Sequence, residues 1–294
     1  MKLVPNHNAP HGRLVLLAPP TARIPDSFAR VETSSYRHKR LLLGAQRLRG
    51  KVYMEDGAIR ESEVSRDGRH RHPADERAWH LLSLDGHGDV CGCSRYIAHP
   101  NTVAFSQLGV RRAALARSRE WGTTLRTAID SEVAQARRRG LAYVEVGGWA
   151  LDSSMRRTAE AVRIALATYS LARVLGGCIG ITTATRRHCS AAILRRIGGR
   201  RVQVDKVEIP PYYDPQYECE MELLRFDSGE PNPRFESWIE DLRSYLTATL
   251  VVQSEGRPEE SPARHVLAAL GASQPQTWRR EAWRLGQDLV PAVQ

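Results

Sequence analysis

The stretch from 141 to 226 sets the tightest limit on the fold, because apolar strands there alternate with helices. LAYVEVGGWALD (141–152) reads as a strand. Asp152, Ser153 or Ser154 then caps a helix from about 155 to 175, ended by Gly176-Gly177. CIGITTAT (178–185) is the next strand, and RRHCSAAILRRIGG (186–199) is a short helix with a glycine stop. RVQVDKVEI and CEMELLRF close the series as two strands joined by PPYYDPQYE (210–218). A strand that returns through a helix to a neighbouring strand implies at least one parallel pair and a layered α/β fold.

Upstream, RLVLLA (13–18) reads as a first strand closed by Pro19-Pro20, followed by a helix from Asp26 to a glycine stop at Gly44. Residues 50–77 are polar and read as a loop. WHLLSL (79–84) and VCGCSRYIA (90–98) form a hairpin around DGHGD, and 101–140 reads as a long helical connection. After Asp227 the composition shifts to a linker-like DSGEPNPRF and two amphipathic segments. The expectation is an α/β (α+β) domain over 1–228, a mixed twisted sheet flanked by helices, with a C-terminal helical extension over 229–294.

Several function classes are disfavoured by composition. No stretch approaches 18 uncharged apolar residues, and MKLVPNHNAPHGR lacks the apolar core of a signal peptide, so a cytoplasmic protein with no membrane span is expected. The five cysteines (Cys91, Cys93, Cys178, Cys189, Cys219) fit reduced thiols, and no C-x-x-C or H-x-x-x-H spacing supports a metal site. The net charge of +10 comes mostly from arginine, in runs at 111–119, 136–140, 185–196 and 199–201. Such runs are either a solvated surface or a field for an acidic partner. Aromatic content of 6% and the lack of helix-turn-helix or zinc-finger spacing leave nucleic acid as an unlikely partner.

VEVGGWALD (144–152) carries a glutamate, Glu145, and two glycines, Gly147 and Gly148, inside an apolar strand. An unpaired buried carboxylate is costly, and strand glycines mark a bulge or a close approach of another backbone. Either this strand is poorly built or something binds along it.

The order of elements resembles the GNAT acyltransferase fold over roughly 13–226. VCGCSRYIA is similar to the G-C-x-R-L strand of acyl-homoserine-lactone synthases, and VEVGGWALD to their E-x-S-R-F-x-V-D strand. YRHKR sits where those enzymes carry an arginine-bearing helix end, and ADERAWHLL where they carry an acidic residue. Long-chain N-acyl amino acid synthases share the architecture. The resemblance implies functional roles for Glu145, Arg95, Asp75 and Arg37. The synthase arginine three residues after the glutamate is Gly148 here, which speaks against a homoserine lactone as product, while the following aromatic is kept as Trp149.

Acetyl-CoA enzymes of that fold place Q/R-x-x-G-x-G/A after the central strand, where backbone N–H groups hold a pyrophosphate. Here the segment is SSMRRTAE (153–160), which has no glycine. Arg156, Arg157 and Thr158 remain to hold the single phosphate of a phosphopantetheine arm. The implied co-substrate is an acyl-phosphopantetheine thioester, carried by an acidic acyl carrier protein in preference to CoA, with no permanently bound cofactor.

Acyl transfer needs a base for the amine, a polarised carbonyl and an acid for the thiolate. Glu145 is the candidate base, its pKa raised by partial burial; a structural pairing with Arg95 across the sheet is the alternative. A backbone N–H near Ala150 or Leu151 is the oxyanion donor. Tyr212, Tyr213 and His188 are candidate acids, the tyrosines in a Pro-flanked loop and the histidine in the first turn of its helix. Cys93 beside His80 or His99 would give a covalent route, although no helix N-terminus supports it. Trp149 and the hairpin apolars are expected to line an acyl pocket. The expected activity is N-acyl transfer from a fatty acyl thioester to an amino acid or related amine. A lactone synthase, a non-catalytic carrier-binding protein and a nucleic-acid-binding protein are the alternatives.

Overall fold

The computed structural model describes residues 12–156 and 158–255. In chain order the strands and helices begin with β1 (Arg13–Ala18), β2 (Arg30–Thr33), α1 (Ser35–Glu55), β3 (Trp79–Leu84), β4 (Val90–His99) and α2 (Gly122–Arg138). They continue with β5 (Ala142–Leu151), α3 (Glu160–Val174), β6 (Cys178–Thr185), α4 (Ser190–Arg196), β7 (Arg200–Arg201), β8 (Gln203–Val204) and β9 (Val207–Glu208). The last are β10 (Tyr212–Asp214), β11 (Cys219–Asp227), α5 (Glu236–Ala248) and β12 (Leu250–Gln253). One mixed sheet runs β10-β11-β6-β5-β4-β3-β1-β12-β2, with β7 also on β11, while β8 and β9 form a separate hairpin.

The apolar runs of the sequence are strands covered on both faces. In β1, Leu14 and Leu16 pack with Ile164 and Leu171 of α3, whereas Val15 and Leu17 pack with Leu41, Ala45 and Leu48 of α1. Helices α1 and α2 cover one face, the latter over Tyr143, Ile179 and Ile181. Helix α3 covers the other, and α5 docks on it through Ser170 Oγ, which donates to Ile239 O at 2.7 Å, and through Arg173, which pairs with Glu236 and Glu240.

Four local expectations are corrected. Ser34, not Asp26, caps α1 by accepting from Arg37 N at 3.2 Å, and the helix runs through Gly44 to residue 55. Gly44 is a contact point: a side chain there would meet Val90 Cγ2 at 2.8 Å. The 101–140 connection is not one helix, since only Gly122–Arg138 forms α2. Residues 105–117 are three short 3-10 turns, held by burial of Phe105, Leu108, Val110 and Leu115 against α2. Tyr212 lies in β10, paired with Met221, and not in a loop.

The boundary expected after 228 does not divide the sheet. Strand β12 inserts between β1 and β2, parallel to both, and the compact unit extends to Glu255. The second expected tail helix lies outside the described residues. No helix among the described residues is long and apolar enough to cross a membrane, and no cluster of three or more metal-ligating side chains occurs among them.

Candidate active site

Strands β5 and β6 pair in parallel only from Ala142/Cys178 to Glu145/Ile181. Beyond that point no ladder joins them, and a gap opens between their C-terminal halves. On its other edge β5 stays paired with β4, but Arg95 faces Gly147 while Cys93 faces Ala150, so β5 carries one extra residue. This is a bulge, and Gly148 at φ 63° supplies its left-handed residue. The bulge shifts the alternation: Val146, Trp149 and Leu151 all pack towards α3, and Ala150 towards α1. Gly148 has no room for a side chain, because a Cβ would lie 3.1 Å from Arg49 Nη1 and 3.2 Å from Arg95 Cβ. At Gly147 a Cβ would meet Arg95 Nη2 at an ordinary 3.7 Å.

On the α3 side of the bulge lies a small pocket of about 50 Å³ that opens to solvent. Val146, Trp149, Ala165, Tyr169, Leu194 and Phe226 are among its walls. The Trp149 indole nitrogen is buried with no hydrogen-bond partner.

On the α1 side, a buried ionic cluster stands under the two glycines. Asp75 accepts from Arg49 Nη1 at 2.9 Å, Arg49 Nη2 at 2.5 Å and Arg95 Nη1 at 3.1 Å, and also from Gln46 and the His72 amide. Arg49, Asp75 and Arg95 are 1%, 2% and 9% exposed. Burial alone would raise the Asp75 pKa, but the Arg49 hydrogen bonds and the charges of Arg49 and Arg95 hold it well below the usual carboxylate range. Two guanidiniums on one carboxylate leave this side one positive charge in excess. Burial pushes His80, whose Nε2 lies 2.7 Å from Asp75 O, down to about 4. The hydroxyl of Tyr53, on α1, is buried beside the cluster and donates to Trp149 O at 3.4 Å.

Glu145 is on the same face, further from the gap. Its carboxylate accepts from Gly109 N (2.8 Å), Val110 N (2.9 Å) and His99 Nε2 (3.0 Å). Burial pushes its pKa up, but these hydrogen bonds outweigh it and the net shift is downward. The expected rise towards neutrality is therefore corrected, and so is the pairing with Arg95, which goes to Asp75.

The other expected residues divide. Arg95 and Asp75 are brought together. Arg37 is not: it pairs with Glu32 at 2.6 Å at the start of α1, about 18 Å along the helix from Arg49. The Thr158 hydroxyl is tied up locally, accepting from Glu160 N at 3.1 Å and donating to Met155 O at 2.7 Å, while the N-cap of α3 is Ala159. Arg156 pairs with Asp56 at 3.0 Å, and Arg157 lies outside the described residues. His188 precedes α4 and is not in its first turn. Tyr212 packs with the α2-side core, where burial raises its pKa, and Tyr213 is exposed. The Cys93 thiol donates to Gly148 O and is pushed up to about 11 by burial, while His80 and His99 bond elsewhere, so the covalent route has no base beside it.

The N–H groups of the two expected oxyanion donors, Ala150 and Leu151, face opposite edges of β5. Asp152 N–H donates to Cys91 O on β4 at 2.8 Å. Successive strand amides point to opposite edges, so the Leu151 N–H faces the gap and the Ala150 N–H faces β4. Arg49 and Tyr53 were missed. The one signal for Arg49 is its place at helical spacing among Ala45, Leu48 and Val52, where an apolar residue belongs.

No family model matches the sequence, and no curated protein matches it. Among solved structures, the CoA-dependent acyl-homoserine lactone synthase BjaI with MTA is similar at 14% identity and a TM-score of 0.50, over 87% of this chain and 99% of that one. The CoA-dependent acyl-homoserine lactone synthase MesI (14%, TM-score 0.49, 81% and 98%) and FeeM, an N-acyl amino acid synthase from uncultured soil microbes (14%, TM-score 0.44, 74% and 93%), also match. The fold is that of the GNAT-like acyltransferases, as the order of strands and helices led one to expect.

Proposed function

We propose that the protein is an N-acyltransferase that moves a fatty acyl group from a phosphopantetheine thioester to the amine of a small acceptor, best read as an amino acid. The observation that carries this is the gap between β5 and β6, with an apolar pocket on one face and an arginine-rich cluster on the other. The first suits an acyl chain, and the excess positive charge suits an acceptor bearing a carboxylate. The reacting carbonyl then sits in the gap, where the Leu151 N–H is free to hold its oxygen.

The amine attacks the thioester carbonyl carbon, the C–S bond breaks, and the amine's proton leaves through water to the Glu145–His99 pair. Glu145 acts here as an ionised carboxylate that orients His99, not as a neutral-range base. Tyr53, on the bulge carbonyl, is better placed to protonate the thiolate than Tyr212 or His188.

A carrier-protein donor is favoured over CoA. The segment leading into α3 has no glycine turn for a pyrophosphate, and the Thr158 hydroxyl there is engaged with Glu160 N and Met155 O. The arginine excess matches an acidic carrier. Incubation with a panel of acyl-carrier thioesters, acyl-CoAs and amino acids, read by mass spectrometry, tests the reading. An N-acyl amino acid is the expected product. No product from any pair, with carrier binding retained, would leave a binding protein in its place.

A further inference from the structure

The mouth of the gap is bridged by a carboxylate from the opposite layer. Asp56 follows α1, yet its side chain reaches the loop after β5 and the loop after β6 together. Arg156 Nη2 donates to Asp56 Oδ1 at 3.0 Å, and His188 Nε2 lies 3.9 Å from the same oxygen. Arg187 Nη1 donates to the Asp56 carbonyl at 3.1 Å. Beside them Lys51 pairs with Asp152 at 2.8 Å.

Three features make this bridge unusual. A carboxylate at a helix C-terminus faces the negative end of the helix dipole, which is unfavourable. Among the described residues Arg187 has only carbonyl partners, namely Asp56, Tyr217 and Glu218, so its charge is matched by no carboxylate. The side chains of Arg156 and His188 are 38% and 44% exposed, so a ligand can reach them.

We propose that Asp56 is a built-in counter-anion: it occupies a phosphate site formed by Arg156, Arg187 and His188, bridges the two lips of the gap, and yields when a phosphate monoester arrives. The proposal rests on the acyl-transfer reading only for the identity of that phosphate, the one on a pantetheine arm. A phosphate dianion offers three acceptor oxygens where the carboxylate offers two, so it engages Arg156 and the uncompensated Arg187 together. No covalent step is involved. The Asp56 carboxylate is released to solvent.

Calorimetry with 4′-phosphopantetheine and pantetheine tests this without catalysis. Wild-type protein is expected to bind the phosphorylated compound about fivefold more tightly, as two part-exposed ion pairs allow. Asp56→Asn is expected to tighten 4′-phosphopantetheine about threefold and leave pantetheine unchanged, because the internal competitor is gone. Arg187→Gln is expected to remove most of the discrimination. Equal affinities in wild type, binding of neither compound, or an Asp56→Asn effect shared by both compounds would each overturn the proposal. If Asp56→Asn does not fold, Asp56→Ser carries the same expectation.

Acyl transfer from a phosphate-free N-acetylcysteamine thioester separates the two readings. Transfer alongside phosphate-indifferent binding removes the counter-anion and leaves the enzyme. Phosphate-dependent binding without transfer from any donor does the reverse.

Discussion

Arg49 Nη1 lies 3.1 Å from where a side chain on Gly148 would begin. The bulge and the buried guanidinium are thus one construction: the strand gives up a side chain so that an arginine from α1 can lie beneath it. Gly148→Ala should be doubly unfavourable, because a non-glycine residue at φ 63° is strained by about 1–2 kcal/mol and its methyl would crowd Arg49 and Arg95. Gly147→Ala meets only an ordinary contact. Thermal unfolding should show a clear drop for the first and little change for the second. Equal melting temperatures would mean that the bulge is not needed.

Asp75 neutralises two guanidiniums at once, so Asp75→Asn leaves buried positive charge without a partner. A loss of about 3–5 kcal/mol in urea unfolding is expected. A smaller loss would follow only if water reaches Arg49. Arg49→Met leaves the Asp75–Arg95 pair intact and should be milder, which gives an internal control for the sign.

The same cluster gives a pH dependence. His80 is buried, and its pKa falls from 6.5 to about 4. The unfolded chain therefore binds a proton that the folded chain refuses between those values, and stability rises with pH across that window. The slope from this one group is at most about 1.4 kcal/mol per pH unit. His80→Gln should lower the slope between pH 4 and 6.5 by its own share, leaving the shares of His72, His38 and His70, which burial also holds down, and the acid limb of Asp75 and Glu145. An unchanged slope would show that His80 takes up its proton in the folded state.

The pattern of residues is informative where the cause is local. RLVLLA and CIGITTAT read as strands because burial on both faces leaves apolar runs, and the paired glycines of VEVGGWALD announced the bulge. Legibility ended where contacts are distant in sequence. β12 is four residues, LVVQ, whose pairing with β1 joins positions more than 200 apart, and β2 (RVET) is too polar and short to stand out. Glu145 was recognised, but its basicity was misjudged because the amides that bind it come from Gly109 and Val110, in a segment that reads as helix. Arg49 looks like one more surface arginine until Asp75 is brought 2.5 Å away.

The acyl pocket makes the last prediction. Ala165, on α3, is one of its walls and is remote from the Arg49–Asp75–Arg95 cluster on the other face. A larger side chain there fills space without touching the acceptor or the thioester. Ala165→Leu should therefore raise KM for long-chain donors and spare short ones, by about 0.8 kcal/mol for each methylene excluded from the pocket. That amounts to about fourfold per methylene, read from kcat/KM across a series of thioesters of increasing length. Because Ala165 also packs against the core, the measure is the change in slope with chain length and not the absolute rate: a general loss of stability lowers every donor alike, whereas a filled pocket bends the series only beyond a certain length. A parallel fall for all donors would place the acyl chain elsewhere.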